Sequence, residues 1–134
     1  AIGRAIEIQG DGCQTRDMLF ADDVLSACVA ASGNIEKLAG NVYNIGGGDE
    51  NTISVREAIT LIRDSGIALE TTLGAPRVHE DRIFVTDHGK FMAATAWKPK
   101  VDVQTGIKRV LAWALQHRES LAKLYEEVAD VRHV

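Results

Sequence analysis

The stretch that decides the fold is IEIQGDGCQTRDMLF, residues 6–20. Its first four residues alternate apolar and polar side chains, which predicts a short β-strand over Ile6–Gln9. The two glycines of GDG predict a tight turn after the strand, because glycine adopts the positive backbone angles that a reversal needs. Arg16 lies between this turn and the apolar tripeptide MLF, which we expect to be buried.

Arginine is the residue type that points to a function here. The planar guanidinium group matches two phosphate oxygens, so Arg16, fixed between a turn and a buried segment, is well placed to bind an anion. Arg77 and Arg82 lie in a second charged segment, RVHEDR, just before the apolar run IFVT. Converging guanidinium groups would bind a diphosphate without a metal ion. The alternatives are that Arg16 pairs with Asp17 or a helix end, and that the other two form surface salt bridges.

Composition excludes several classes of protein. A chain of 134 residues is long enough for one domain with a core, or for one part of a larger protein. The net charge of −4 argues against a broad nucleic-acid or membrane surface. Cys13 and Cys28 form no metal-ligand or C-x-x-C spacing, which favours reduced cysteines and a cytoplasmic location. The sequence runs into a strand without an initiating methionine, so we expect a piece of a longer protein.

The segment after MLF predicts the first helix. Either Asp22 or Asp23 is expected to cap it, and Gly33 followed by Asn34 is typical of its end. Adjacent helical residues point in different directions, so the two aspartates are a better helix cap than an acid–base pair. Apolar side chains recur at the spacing of one buried helix face: Val24, Ala27, Cys28 and Ala31.

Three later helices are also predicted from their caps. Ser54 and Glu57 form a capping box for a helix that ends near Gly66. Asp87 caps a short helix over residues 88–95, and Asp102 starts a long one. The core stripe of the long helix is predicted to contain Ile107, Val110, Leu111 and Ala114.

The strand signals are shorter. VYNI at residues 42–45 predicts a buried strand, residues 69–73 predict an edge strand, and residues 83–86 predict a third. The alternation of helices and short strands predicts an α/β domain with a small mixed sheet and flanking helices.

The glycines at residues 46–48 do not match a nucleotide-binding loop. A dinucleotide fingerprint would need glycine where Asn51 stands, and the GDG turn fails the same test at Thr15. No G-x-S-x-G motif is present, and neither cysteine has an assigned base. We therefore expect residues 46–48 to form a turn that lets two backbones pass closely.

Together these segments resemble the extended short-chain dehydrogenase/reductases of the NAD-dependent nucleotide-sugar epimerase/dehydratase family. Their order follows the C-terminal part of such enzymes over nearly the whole chain. The residues from Arg77 to Asp87 most resemble the CDP-paratose 2-epimerase (CDP-tyvelose epimerase) branch. The pieces that carry the resemblance are GDGCQTRD, VYNIGGG, SVRE and WKPKV, at residues 10–17, 42–48, 54–57 and 97–101.

The resemblance implies that residues 1–134 are a single substrate-binding portion of a Rossmann-type enzyme, without its cofactor half. The strand over Ile6–Gln9 would lie along the nucleotide base, and the arginines would reach the diphosphate or ribose. The implied partner is a CDP- or UDP-sugar, with no nucleic acid and no membrane. The implied substrate-binding residues are Ile8, Gln9, Gln14, Arg16, Arg77 and Arg82.

The family's catalytic groups do not match this sequence. Such enzymes bind NAD through an N-terminal glycine-rich turn and transfer protons with a Tyr-x-x-x-Lys pair. Here Gly47 stands four residues after Tyr43, and Ala129 four residues after Tyr125. We therefore expect no catalytic, cofactor-binding or metal-binding residue in this chain, which would be inactive alone, with NAD bound by the parent enzyme. The alternative is a free-standing binding or oligomerisation module, for instance a homodimer, derived from such an enzyme.

Overall fold

A computed structural model describes residues 3–131, and the side chains up to residue 126. Within these residues, five short strands and six helices follow one another, with a 3-10 turn at Asp49–Asn51. In order, they are β1 (Ile6–Gln9), β2 (Thr15–Asp17), α1 (Ala21–Gly33), α2 (Ile35–Leu38), β3 (Thr52–Ser54), α3 (Val55–Asp64), β4 (Thr71–Gly74), β5 (Ile83–Phe84), α4 (Gly89–Thr95), α5 (Val103–Gln116) and α6 (Arg118–Val131).

The strands form two small sheets. β1 pairs in parallel with β4, so that Ile6 lies opposite Thr71. β2 is the centre of a three-stranded mixed sheet, antiparallel to β3 and parallel to β5. The predicted α/β class with a small mixed sheet and flanking helices is confirmed, although the strands divide between two sheets. The predicted strands over residues 69–73 and 83–86 are shifted or shortened, and β2 and β3 were not predicted.

The main apolar cluster lies between α1, α2 and α4. It contains the buried side chains Ala27, Leu38, Phe91 and Trp97. The rings of Phe91 and Trp97 meet edge to face, with centroids 5.5 Å apart. The Trp97 Nε1–H donates to the Ser26 hydroxyl at 2.8 Å, which satisfies the polar atom of an otherwise buried ring. This cluster fixes α1 against the connector that precedes α5.

The predicted aspartate cap of α1 is wrong. The N-cap is Phe20, which makes no side-chain cap bond. Asp23 is instead buried, with 2% of its surface exposed, and its two carboxylate oxygens accept from the amides of Lys100 and Val101 at 3.1 and 2.9 Å. Asp22 is exposed and pairs with Arg109 at 3.3 Å. One aspartate therefore ties α1 to a distant connector, and the other lies at the surface.

The predicted caps of α3 and α5 are confirmed, and that of α4 is off by one residue. Ser54 and Glu57 form a complete capping box at the start of α3. The side chain of Asp102 caps α5 by accepting from the Thr105 amide at 2.8 Å. At α4 the N-cap is His88, so the prediction for Asp87 is off by one residue. Asp87 still accepts from the amide of the first helical residue at 2.8 Å.

The predicted strand at residues 42–45 is not present. These residues belong to no helix, strand or turn, and Val42 is 83% exposed. The Val42 carbonyl accepts from the Lys90 ammonium group at 2.9 Å. Residues 42–45 have the apolar pattern of a buried strand, but no described residue pairs with them in a β-ladder.

The glycines at residues 46–48 make the predicted close approach. A Cβ atom at Gly46 would collide with the side chains of Thr86 and Asp17, and one at Gly47 with the carbonyl oxygen of Met18. The backbone amide of Gly48 donates to the Asp17 carboxylate at 3.0 Å. Close backbone packing therefore explains why this segment consists of glycines.

Several side chains that were predicted to be buried are exposed. The exposed side chains are Val24 and Cys28 on α1, Val110 on α5, and Met18 before α1; Val24 is 40% exposed and Val110 54%. Helical spacing identifies an apolar face correctly, but it does not show whether that face has a neighbour. Within residues 3–131, no helix has both the length and the apolar character needed to cross a bilayer.

Candidate functional site

A cleft of about 500 Å³ lies where β1 and β4 end. Because these two strands are parallel, their carboxyl ends meet at one edge, the place where α/β folds bind ligands. Residues that follow both strands line the cleft. Four of the six predicted site residues are among them: Gln9, Gln14, Arg77 and Arg82. Segments far apart in sequence are thus brought to one opening.

The turn after β1 shapes one wall of the cleft. Gly10 and Gly12 have φ angles of +77° and +73°, which glycine adopts without steric cost, so the predicted turn is confirmed. The Gly10 amide donates to the Gly74 carbonyl at 3.1 Å and thereby extends the β1–β4 ladder by one bond. The Gln14 side-chain amide donates to the Gln9 carbonyl at 3.0 Å, which holds Gln14 against the turn.

Arg82, just before β5, also lines the cleft. Its guanidinium group lies 3.5 Å from the carboxylate of Asp11, and both side chains are more than half exposed. A hydrogen bond from the Cys13 amide, at 2.9 Å, is the main reason that the pKa of Asp11 is lowered. The charge of Arg82 lowers this pKa further. Because the pair is exposed, it is weak and can open to another anion.

Arg16 does not line the cleft. Its guanidinium group lies 3.6 Å from Glu80 and also donates to the Thr15 carbonyl at 2.7 Å. Glu80 does line the cleft, so Arg16 is one residue removed from it. The alternative that Arg16 pairs with Asp17 is wrong, because successive side chains of a strand such as β2 point to opposite faces.

Asp17 lies on the other face of β2, where its carboxylate accepts a hydrogen bond from the Gly48 amide. Partial burial acts to raise its pKa, but hydrogen bonds from the Gly48 amide and from Thr86 outweigh burial, and the pKa is lowered. The Asp17 carboxylate is therefore ionised at neutral pH and anchors the glycine segment at residues 46–48. Ile8, the sixth predicted residue, is also outside the cleft, since it is buried beneath Gly12.

The comparisons with known proteins agree with one another. A profile of the family described as "NAD dependent epimerase/dehydratase family" matches residues 1–46. CDP-paratose 2-epimerase of Salmonella typhi is 35% identical over 113 residues, which are 84% of this chain and 33% of that protein. The structure of UDP-glucose 4-epimerase from Thermotoga maritima with UDP-glucose matches with a TM-score of 0.73 and 30% identity, over 89% of this chain and 36% of that chain.

This chain belongs to the NAD-dependent epimerase/dehydratase family. The family resemblance predicted from the sequence motifs is thereby confirmed. A further structure, UDP-glucuronic acid 4-epimerase from Bacillus cereus in complex with UDP-glucuronic acid and NAD, matches with a TM-score of 0.69 and 28% identity, over 78% of this chain and 33% of that chain. The chain spans about a third of the length of the curated relatives that it matches.

The glycine segment of this epimerase-family chain does not fit the pyrophosphate of NAD. Phosphate oxygens would need open space beside the glycine backbone, but protein atoms fill that space at Gly46 and Gly47. At Gly48 a Cβ atom would lie 2.6 Å from the His88 ring. We therefore assign no chemical step through NAD to these residues. Among the residues described, no three His, Cys, Asp or Glu side chains cluster as metal ligands would.

Three acidic residues line the cleft, Asp11, Glu80 and Asp81, and sequence reasoning missed that two of them pair with predicted arginines. Asp11 and Glu80 each hold one of the predicted arginines, yet Asp11 was read as a turn residue and Glu80 as part of a charged segment. The only sequence signal was their position inside the same short motifs as the arginines. That position could not show which charges pair.

Proposed function

We propose that this chain is the nucleotide-sugar-binding portion of an NAD-dependent nucleotide-sugar epimerase or dehydratase, and that it is inactive by itself. The observation that carries the proposal is the cleft at the ends of β1 and β4, which gathers Gln9, Gln14, Arg77 and Arg82. Its volume falls within the range of small-molecule sites. The matched structures from Thermotoga maritima and Bacillus cereus are complexes with a UDP-sugar, which supports this ligand class.

The cleft residues suit the two ends of such a ligand. Arg77 and Arg82 supply positive charge for the diphosphate, and a guanidinium group can bind two phosphate oxygens at once. Gln9 and Gln14 each offer an amide donor and an amide acceptor, which suit a base or a sugar hydroxyl. Diphosphate would take the place of Asp11 beside Arg82, because that pair is exposed and weak.

Calorimetric titration of the purified chain with UDP-glucose and CDP-glucose tests the proposal. We expect binding of at least one of them, and a loss of about 10- to 100-fold in affinity for Arg82→Ala, the effect of losing a charge-assisted hydrogen bond. Arg118→Ala is the matched control, because Arg118 is an exposed arginine on α6 outside the cleft. Equal affinities of the two variants would exclude Arg82 from the site.

A second assay tests the claim of inactivity. The purified chain is incubated with NAD and the nucleotide-sugar that binds, and products are separated by chromatography. We expect no epimerisation and no dehydration, because the described residues do not fit NAD at the glycine segment. Product formed above the rate of a heat-denatured sample would overturn this part of the proposal.

A further inference from the structure

The two carboxylate oxygens of Asp11 have different partners. Oδ1 accepts from the Cys13 amide at 2.9 Å, which holds the side chain in the turn after β1. Oδ2 lies 3.5 Å from the guanidinium group of Arg82, and the side chain of Asp11 is more than half exposed. Oδ2 can therefore change its partner while the bond that holds Asp11 in the turn stays in place.

Arg56, the second residue of α3, packs against the same turn. Its backbone amide donates to the Gly12 carbonyl at 3.0 Å. A Cβ atom added at Gly12 would lie 3.1 Å from the Arg56 Cγ and 3.7 Å from its Nε, so the side chain runs along the backbone next to Asp11. The Cys13 amide lowers the pKa of Asp11 most, and the charges of Arg82 and then of Arg56 lower it further. The carboxylate of Asp11 therefore interacts with both guanidinium groups.

The two arginines differ in their relation to the cleft. Arg82 lines it, whereas Arg56 is exposed and lies outside the lining. Among the described residues, no ion pair occupies the guanidinium group of Arg56. In its present position Asp11 covers a positive group that faces the cleft, and a move to Arg56 would uncover it. Such a move costs little, because exposed ion pairs are weak.

We propose that Asp11 is a built-in competitor for the diphosphate at Arg82, and that Arg56 receives Asp11 when the ligand binds. This inference rests on the proposed function, in which a nucleotide-sugar occupies the cleft. Asp11 then determines how strongly an anion must bind before it enters. Arg56 is a positioning residue that acts on the ligand through Asp11, since it stabilises the displaced carboxylate.

Another acidic residue of the cleft provides a matched control. Asp81 lines the same cleft and directly precedes Arg82, so its removal changes the charge near the ligand in the same way. Among the described residues Asp81 forms no ion pair, whereas Glu80 is paired with Arg16. A general effect of negative charge should therefore appear equally for Asp81 and Asp11, but a specific link to Arg56 should appear for Asp11 alone.

The test is a double-mutant cycle, measured by calorimetric titration with UDP-glucose and with CDP-glucose. The chains are the unaltered protein, Asp11→Asn, Arg56→Gln and the double variant. Asparagine keeps an oxygen for the Cys13 amide, and glutamine keeps the Cγ that packs against Gly12. The control cycle replaces Asp11→Asn with Asp81→Asn. A salt concentration of about 0.15 M screens charges more than about 8 Å apart.

We expect Asp11→Asn to bind the sugar nucleotide about 2- to 5-fold more tightly, the effect of removing an exposed competitor from Arg82. Arg56→Gln should weaken binding by about 2- to 5-fold in the unaltered chain and by less than about 1.5-fold beside Asp11→Asn. Beside Asp81→Asn, Arg56→Gln should keep its full effect. Arg56→Lys should bind nearly as well as the unaltered chain, because it retains the positive charge.

NMR provides a second measurement that does not depend on affinities. The ¹⁵N signal of the Arg56 Nε should shift when UDP-glucose or CDP-glucose is added to the unaltered chain, because the guanidinium group gains a carboxylate partner. The same addition to Asp11→Asn should leave it in place. All variants should unfold within about 2 °C of the unaltered chain, since exposed positions contribute little to stability.

Three results would overturn the inference. The first is equal weakening by Arg56→Gln with and without Asp11, which would mean that Arg56 attracts the ligand directly. The second is a gain in affinity for Asp11→Asn no larger than that for Asp81→Asn, and the third is an unshifted Arg56 signal. These results leave the proposed function intact. If no variant binds either sugar nucleotide, the proposed function and this inference are both wrong.

Discussion

Substitution of Asp23 by asparagine gives the sharpest test of how this fold is held together. The carboxylate of Asp23 is buried and accepts one hydrogen bond at each oxygen, from the amides of Lys100 and Val101. Asparagine keeps the shape of the side chain but turns one acceptor into a donor, which then faces an amide. A buried donor left without a partner costs about 1–3 kcal/mol.

The expected change in unfolding temperature follows from the size of the protein. An unfolding entropy of about 2.1 cal/mol/K per residue gives a shift of roughly 4 °C per kcal/mol for a chain of 134 residues. Asp23→Asn should therefore lower the unfolding temperature by about 4–11 °C. Asp23→Ala, which leaves both amides without a partner, should cost about 2–6 kcal/mol and lower it further.

Asp22→Asn is the matched control, measured by circular dichroism and calorimetry at pH 7. Asp22 is the preceding residue of the same first turn of α1, so both aspartates lie near the positive end of the helix dipole. Its ion pair with Arg109, at 3.3 Å, is exposed and is worth at most about 1 kcal/mol. Equal shifts for the two variants would mean that the helix dipole, and not the buried bonds, explains the effect of Asp23.

Three further predictions concern the glycine segment and one helix cap. Gly47→Ala should destabilise the chain by about 1–3 kcal/mol in urea denaturation, because the added methyl group collides with the Met18 carbonyl. The pKa of Asp17 lies below its ordinary value of 3.8, so its stabilising bond to Gly48 is fully present above about pH 4 and is lost as the pH falls further. Asp17→Asn should therefore flatten the fall in unfolding temperature below pH 4, and an unchanged slope would contradict this. Ser54→Ala should cost about 1 kcal/mol, and a matched Ser65→Ala change at the other end of the same helix should cost less.

The sequence alone was sufficient to predict interactions between residues that are only a few positions apart. The bond between Ser54 and Glu57 joins residues three apart, and so does the cap of Asp102 on Thr105. The GDG turn needs only the backbone freedom of its own glycines. In each case the partner is fixed by the chain itself, so the sequence pattern alone determines the geometry.

Contacts between distant segments were beyond the reach of sequence patterns. Asp23 bonds to amides 77 and 78 residues away, and nothing in its spacing distinguishes it from Asp22. β2 is only three residues long, which is too short for periodicity to detect. Residues 42–45 have the pattern of a buried strand, yet the described chain offers them no partner. Apolar spacing reports which side of an element avoids water, but it does not report what covers that side.

Two carboxylates, those of Asp11 and Glu80, change what the predicted arginines can do. The sequence left open whether these arginines bind an anion or form salt bridges, and in the structure Arg82 pairs with Asp11 and Arg16 with Glu80. Under the proposed function, ligand binding is therefore an exchange of one anion for another. Diphosphate offers more charge and more acceptor oxygens than a single carboxylate, so it displaces the exposed Asp11 from Arg82. The Arg16–Glu80 pair is more enclosed, since the two side chains are 35% and 24% exposed. It therefore exchanges its carboxylate for another anion less readily. Under the proposed function, Arg16 would act on the ligand through Glu80, because its guanidinium group offsets the negative charge that Glu80 places at the cleft.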